Sequence, residues 1–271
     1  MLAIKNNLMA VNAARHLGES YAALATSVER LSSGLRINTA KDDAAGLAVR
    51  ELMRADIAVL QQASRNALDG ISMVQTMEGC MATIDNVLVR MRQLAMQAAT
   101  GSYSDAQRSI MDDEFTELAA EIDRIAGAVE FNGTTLLNSA GASVDIQVGA
   151  AATDTINIAG VDVTSSALGL SAVDISSTAG AQSALAVLDS AISAKDTDRA
   201  TFGYKMNRLE NTVAVINNQT ENMMASESRV SDVDVASEMA AMTRNQVLTQ
   251  AGVAMLAQAN MIPQMALTLL R

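Results

Sequence analysis

The sequence contains no tryptophan, one proline and one cysteine, and its aromatic residues are three tyrosines and three phenylalanines. With Pro263 as its single proline, the chain has almost nothing that forbids helix continuation. Cys80 alone cannot form an internal disulfide or a multi-thiolate metal site. Apolar residues still make up 49% of the chain, and many are small or flexible side chains that suit close-packed helices. The composition predicts long helices.

Charge and site chemistry exclude several classes of function. The formal net charge is −11, which argues against nucleic-acid binding because that needs clustered lysine and arginine. His16, the one histidine, has no cysteine, Glu-x-x-His pattern or second histidine at helical spacing, and no serine, histidine and aspartate grouping can be argued. Asp42 and Asp43 precede a long helical pattern, where carboxylates cap free N–H groups or form an ion pair at a bend. We expect no enzyme activity, no cofactor and no metal.

Two segments bear on membranes and export. The first twenty residues interrupt their apolar positions with asparagine, lysine and arginine, so a cleaved secretory signal is not predicted. Residues 245–270 carry no charge and are long enough to span a bilayer. Buried side-chain amides would make that span costly. We therefore expect a helix that is buried by protein and no membrane span.

The strongest pattern is an apolar stripe whose members alternate three and four apart for about five heptads. Counted back to Ala45, the predicted helix is about 80 Å long at about 1.5 Å per residue. A rod of this length cannot bury its own stripe, so it needs partner helices. Cys80 falls beside the stripe and is interpreted as a small buried hydrophobe. The stripe comprises Leu60, Ala63, Ala67, Gly70, Val74, Met77, Met81, Ile84, Leu88, Met91, Ala95 and Ala98.

Two further helices are predicted as its partners. After a break at Thr100 and Gly101, Ser104 and Gln107 have the spacing of a capping box. The second stripe comprises Met111, Phe115, Leu118, Ile122, Ile125 and Val129. The third comprises Leu185, Leu188, Ile192, Phe202, Met206, Leu209, Val213, Ile216 and Met223, and it is weakened at Lys195 and Arg199. A short loop makes the first two helices antiparallel, and together the three helices predict a bundle.

The centre of the chain changes character. Asn132-Gly133 is a turn signal, and residues 140–183 are rich in glycine, serine, threonine and alanine. Within them, alternating apolar residues predict a β-hairpin at about 140–176. These residues are Val144, Ile146, Val148, Ile156 and Ile158. We expect this region to be the one that forms strands.

The two chain ends share a pattern in which apolar residues occupy more than one helix face. A monomer could cover only one such face, so we expect contacts on both sides. We further expect that each end is disordered alone and becomes ordered when neighbouring copies supply contact area. The predicted assembly residues are Leu17, Leu24, Leu31, Leu35, Val247, Leu248, Met255, Ile262 and Leu269.

Three motifs resemble those of a known family, the bacterial flagellins. They are RLSSGLRINTAKDDAAGLAV at 30–49, FNGTTLL at 131–137, and the tail that begins SRVSDVDVASEMAAMTRNQ at Ser228. The motifs are long, separated and in the family's order. The resemblance covers about residues 1–139 and 177–271, and the short centre indicates that large outer variable domains are absent.

The resemblance implies a mainly α fold: an antiparallel helical bundle and coiled coil, with one small β-hairpin region and paired terminal helices. Residues 1–44 and 233–271 would form the inner tube of the filament, and residues 45–232 the surrounding helical layer. It implies a structural subunit that polymerises for swimming motility and is exported unfolded by the flagellar type III route. Implied partners are other copies, a chaperone at the C-terminal segment, the filament cap and the hook–filament junction proteins. The expected location is extracellular, in the flagellum.

Two alternatives remain. A hook–filament junction protein shares related terminal segments, although the full-length match of the terminal motifs favours the filament subunit. A chemoreceptor-like signalling rod also has methionine-rich and alanine-rich heptads, but its transmembrane spans or hairpin tip are not found in this pattern.

The resemblance also implies a contact with a host Toll-like receptor. Leu88, Arg90, Leu94 and Gln97 match the receptor-binding motif on the first long helix, and Glu114 matches an acidic position on the second. Position 93 carries glutamine where the motif has glutamate, which removes one acidic hydrogen-bond acceptor.

Overall fold

A computed structural model describes residues 6–139 and 141–269, without the side chains of 263, 264 and 266–269. The helices are α1 (Leu8–Ser33), α2 (Ala44–Ala98), α3 (Asp105–Ala128), α4 (Thr178–Ser231) and α5 (Val235–Leu269). The strands are β1 (Glu130–Phe131), β2 (Thr134–Thr135), β3 (Ser143–Gln147) and β4 (Thr155–Ala159). The predicted mainly α fold with a small β region is confirmed.

The chain forms two compact units. Unit 1 comprises Met1–Ala55 and Glu221–Arg271, and unit 2 comprises Asp56–Thr220. Helices α2 and α4 contribute residues to both units.

Unit 2 is built on the stripe that the sequence predicts along α2, and every residue of that stripe is buried. The second stripe packs into the same core through Met111, Phe115, Ile122 and Ile125 of α3, with Leu118 half-buried. Helix α3 begins with the predicted capping box: Ser104 Oγ accepts from the Gln107 N–H, and the Gln107 side chain accepts from the Ser104 N–H. Spacing alone therefore located the part of this core that α2 and α3 contribute.

The predicted β-hairpin pairs β3 with β4 in antiparallel register, with Val144 opposite Ile158 and Ile146 opposite Ile156. Its side chains reach the helices at Gly70 of α2, where an added Cβ would lie 3.1 Å from Ile146 Cγ1. A larger residue there would press on Ile146, because the strand side chain lies close to the helix backbone.

A second, two-residue ladder joins β1 to β2 around Asn132-Gly133. Both turn residues have positive φ, 51° for Asn132 and 76° for Gly133, as in a type I′ hairpin turn. The sequence marked the turn but not the strands beside it, since two residues are too short to show alternation. The expectation that strands form only after residue 140 is thus incomplete.

The segment after β4 is held against α3 by carboxylates. Asp123 accepts hydrogen bonds from the N–H and the hydroxyl of Ser165, both at 2.7 Å, and Asp112 accepts from the Ile175 N–H at 2.9 Å. These bonds satisfy backbone donors in a stretch without regular structure, so this stretch completes the core of unit 2 by burying Leu170 and Ile175.

Candidate assembly surface

Helices α1 and α5, the terminal helix pair, run antiparallel in unit 1. The Asn7 side-chain amide donates to the Ala259 carbonyl at 2.7 Å, and at the other end an Arg30 guanidinium nitrogen lies 3.7 Å from Glu238 Oε2. Asn7 also caps α1 by accepting from the Ala10 N–H. The pair therefore closes over nearly the full length of α1.

The seam of the pair on α5 is lined mainly by small and polar side chains, together with two large apolar ones. Thr249 and Ala259 are buried, and Met242, Asn245, Gly252 and Leu256 on the same line are half-buried. A Cβ on Gly252 would lie 3.0 Å from Leu17 Cδ1, so the two helices approach closely at this point. Most of the larger apolar residues of α5 lie on other faces of the helix.

The predicted assembly residues divide between the seam and those other faces. On α5, Val247, Leu248 and Met255 are 59%, 49% and 64% exposed. On the α1 side, Leu17, Leu24, Leu31 and Leu35 are half-buried, as is Ile262 of α5. The side chain of Leu269 lies outside the described residues.

Further large apolar side chains are exposed on the same two helices. They are Leu8, Met9, Val11, Tyr21 and Val28 on α1, and Val235, Met239, Val253, Met261 and Met265 on α5. A groove of about 320 Å³ runs beside them, lined in part by Leu17, Leu248 and Met255. Apolar surface of this extent is a candidate interaction surface.

A polar joint lies where α1 ends and α5 begins. The Asp42 carboxylate accepts from the N–H and hydroxyl of Thr39 and faces Arg30 at 3.8 Å. The hydrogen bonds from Thr39, with a contribution from Arg30, hold the pKa of Asp42 below its usual value. Asp43 caps α2 by accepting from the Gly46 N–H at 2.9 Å. Both carboxylates therefore act as the capping and ion-pair groups that the sequence predicts.

The terminal helices and the bundle match known proteins. The bacterial flagellin N-terminal helical region matches residues 4–142, and the bacterial flagellin C-terminal helical region matches residues 185–270. The chain belongs to the bacterial flagellin family. It is a structural subunit of the flagellar filament, which drives swimming motility.

Similar proteins cover the whole flagellin chain. A flagellin of Halalkalibacterium halodurans is 44% identical over 270 residues, 99% of each chain. A flagellar filament 33 kDa core protein of Treponema phagedenis is 42% identical over 284 aligned positions, again 99% of each chain. The crystal structure of Bacillus cereus flagellin is 34% identical, with a TM-score of 0.52, over 60% of this chain and 94% of that one. These matches do not favour a hook–filament junction protein or a chemoreceptor rod.

The residues that match the receptor motif are split by burial in this flagellin. Leu88 and Leu94 are core residues, 0% and 2% exposed. Arg90 and Glu114 are exposed and joined by an ion pair at 2.7 Å between α2 and α3. Gln97 is exposed and donates to the Tyr103 hydroxyl at 3.0 Å. A protein docking on this face would meet Arg90, Gln97 and Glu114.

Other singled-out residues have ordinary environments. Cys80 is half-buried against the core, and burial raises the pKa of its thiol, which disfavours the reactive thiolate. The Nδ1 atom of His16 lies 3.2 Å from Glu19 Oε2 on the exposed face of α1. Within residues 6–139 and 141–269, no group of three or more histidine, cysteine or acidic side chains could hold a metal. The same residues contain no helix both long and apolar enough to cross a bilayer.

Two features of the flagellin were missed or misread in the sequence. The seam of α5 is not marked by a stripe of large apolar residues, although Asn245, Thr249, Gly252 and Leu256 have the required spacing of three and four. Lys195 was interpreted as a weak point of the third stripe, yet it is 1% exposed and paired with Asp85 of α2. An acidic residue on another predicted helix could have been the signal, but sequence alone does not pair the two.

Proposed function

We propose that the exposed apolar faces of the terminal helix pair are the surfaces that neighbouring copies bury against one another in the filament. Residues 1–44 and 233–271 then form the inner tube, and residues 45–232 form the layer around it. The observation that carries this proposal is the exposure of Val247, Leu248 and Met255, which lie beside the seam and not in it.

The energetics favour assembly on these faces. Fully burying one large apolar side chain contributes about 1.5–3 kcal/mol, and the exposed set extends along both helices. On α5 the seam holds mainly small and polar side chains, and Leu17, Leu24 and Leu31 of α1 are only half-buried, so pairing of α1 with α5 leaves much apolar area exposed. We infer that the terminal segments are weakly ordered in an isolated copy and become fully ordered in the polymer.

Membership of the flagellin family also suggests partners for the chain and a route of export. We infer that the chain is secreted unfolded through the flagellar type III channel to the extracellular filament, and that a cytoplasmic chaperone grips its C-terminal segment. The apolar faces of α5 support the inference of a chaperone, because without a bound partner these faces would be exposed before assembly. The filament cap and the hook–filament junction proteins are the further expected partners. The assignment is structural, and no catalytic role is proposed.

Contact with a host Toll-like receptor is proposed on the face that carries Arg90, Gln97 and Glu114. Leu88 and Leu94 would support this face from the core. Because Arg90 and Glu114 bind each other, a receptor would have to engage the pair together or replace one partner. Gln93, exposed nearby, offers an amide where the motif has a carboxylate.

Seeded polymerisation tests the assembly proposal. The Leu248→Asp variant should remain helical as a monomer but fail to elongate filament seeds, because its charge would be buried unpaired between copies. The matched control is Leu248→Met, which keeps an apolar side chain of similar volume and should elongate seeds normally. Electron microscopy measures elongation, and circular dichroism measures helicity. Normal elongation by Leu248→Asp would remove this face from the interface.

A further inference from the structure

Helices α2 and α4 face each other in unit 2 and run antiparallel. Ser64 Oγ lies 3.3 Å from Asn217 Oδ1, Glu78 Oε1 lies 3.4 Å from an Arg199 guanidinium nitrogen, and Asp189 Oδ1 lies 3.0 Å from one of Arg92. The residue numbers on α4 decrease as those of their partners on α2 increase, as in an antiparallel pair. These three pairs define the register of the two helices.

Apolar packing alone does not distinguish this register from one that is shifted by seven residues. A buried line on α4 recurs every seven residues: Ala181, Leu188, Lys195, Phe202, Leu209 and Ile216. The stripe of α2 repeats with the same average period. If one helix slid by seven residues along the other, apolar lines would again face each other. Something besides hydrophobic burial must make the native register preferred.

Lys195 breaks the uniformity of the α4 line. Its side chain is 1% exposed, and its ammonium group is paired with Asp85 of α2 and, at 2.8 Å, with Asp196. A buried ammonium group that loses its carboxylate is strongly destabilising. A single polar residue at a core position of a heptad repeat is an established way to specify register.

The flanking ion pairs give the contact an ordered pattern of charge. Glu78, Asp85 and Arg92 are spaced by seven on α2, with signs minus, minus and plus. Their partners Arg199, Lys195 and Asp189 on α4 are plus, plus and minus. All three native pairs are attractive.

We propose that Lys195 with Asp85, flanked by these two pairs, selects the register of α4 on α2 by rejecting both one-heptad slips. A slide in one direction brings Lys195 opposite Arg92. A slide in the other brings Asp189 opposite Asp85. Each slip therefore replaces three attractive pairs by one attractive pair, Arg199 with Asp85 or Lys195 with Glu78, and one like-charge contact, although the apolar lines remain opposed.

The pattern can be changed without losing a native ion pair. In the double variant Arg92→Asp with Asp189→Arg, every acidic group of the set lies on α2 and every basic group on α4. The native pairs stay attractive, but both slipped registers become attractive as well. Arg92 and Asp189 are about half exposed, so their substitution leaves the core intact.

Disulfide trapping during refolding reports the register. In a full-length chain with Cys80→Ala, Ser64→Cys is combined with Asn217→Cys to detect the native register. Ser64→Cys combined with Met224→Cys detects one slip, and Ser64→Cys combined with Glu210→Cys detects the other, because each of these positions is seven residues from 217. The chain is diluted from urea at low concentration under oxidising conditions, and cross-linked monomer is quantified by gel electrophoresis.

We expect the double variant to raise both slipped cross-links by about fivefold, the factor that about 1 kcal/mol gives. Each single variant should favour one slipped register over the other. Arg92→Asp should raise the cross-link through position 224 more than that through position 210, and Asp189→Arg should do the reverse, because each also makes the native pair of 92 and 189 like-charged. The control exchanges an ion pair within α3, Glu121→Arg with Arg124→Glu, whose native atoms lie 2.6 Å apart, and it should leave the pattern unchanged. Cross-link yields that do not change in the double variant, or that rise equally in the control, would overturn the proposal.

Discussion

Leu17 of α1 packs onto Gly252 of α5 so closely that a Cβ on the glycine would lie 3.0 Å from the leucine Cδ1 atom. The contact lies midway along the seam, beside the groove that Leu248 and Met255 also line. A side chain at position 252 would therefore press on Leu17 and change the packing of the terminal helix pair. The surface that we propose for contact with other copies lies beside this point.

The Gly252→Val substitution should separate the terminal helices. A branched side chain cannot fit under Leu17, and overpacking of this kind costs about 1–3 kcal/mol. We expect slower elongation of filament seeds and a lower melting temperature for the terminal segments, measured by electron microscopy and circular dichroism.

Gly18→Ala is the matched control, because an added Cβ there meets nothing within 4 Å. It should be neutral, or stabilise α1 by up to about 1 kcal/mol through helix propensity. If both variants elongate seeds as the wild type does, the close approach at Gly252 does not set the assembly surface.

Acid should weaken the joint at Asp42. The pKa of this carboxyl is held below its usual value of 3.8 by the Thr39 hydrogen bonds and Arg30. The folded state therefore favours the ionised form, and its stabilisation is complete above about pH 4 and lost as the pH falls through the lowered pKa. The Asp42→Asn variant should be less stable than the wild type at pH 7, and the difference should shrink towards pH 2.

Urea denaturation at a series of pH values measures this difference. Asp113→Asn, at an exposed position on α3, is the control and should give a curve parallel to that of the wild type. A constant gap between Asp42→Asn and the wild type from pH 7 to pH 2 would contradict the role given to the Asp42 carboxylate.

Arg90→Ala should reduce activation of the Toll-like receptor in cells that express it, by about tenfold if Arg90 is an interface anchor. Export and filament formation should continue, because this exposed ion pair contributes little to stability. Arg124→Ala, which removes an exposed ion pair within α3, should leave signalling intact. Equal signalling by the two variants would remove Arg90 from the receptor surface.

Some of the architecture follows directly from residue spacing. The stripe from Leu60 to Ala98 is buried at every predicted position, and the box at Ser104 and Gln107 forms as its motif predicts. These features are local or strictly periodic, so a single segment carries the whole signal. The two-residue strands around Asn132-Gly133 were not predicted because they form no repeating pattern.

The sequence alone did not predict which distant segments pair. Lys195 is indistinguishable from a defect in an apolar stripe until Asp85, 110 positions away, is placed beside it. The α5 seam is similar, since Thr249 and Gly252 look like poor core residues until α1 lies against them. In both cases the role of the residue depends on a contact with a distant segment of the chain.

The sequence by itself determined the helices, their buried stripes and membership of the flagellin family, because periodicity, capping and long motifs are written along one stretch of chain. Only the tertiary structure decided which face of α5 meets α1, which apolar faces stay exposed, and which charges lock α2 to α4. Helices with apolar residues on several faces can pair in several ways. The choice depends on close approach at Gly252 and on matched charges at Lys195, which exist only once distant segments meet.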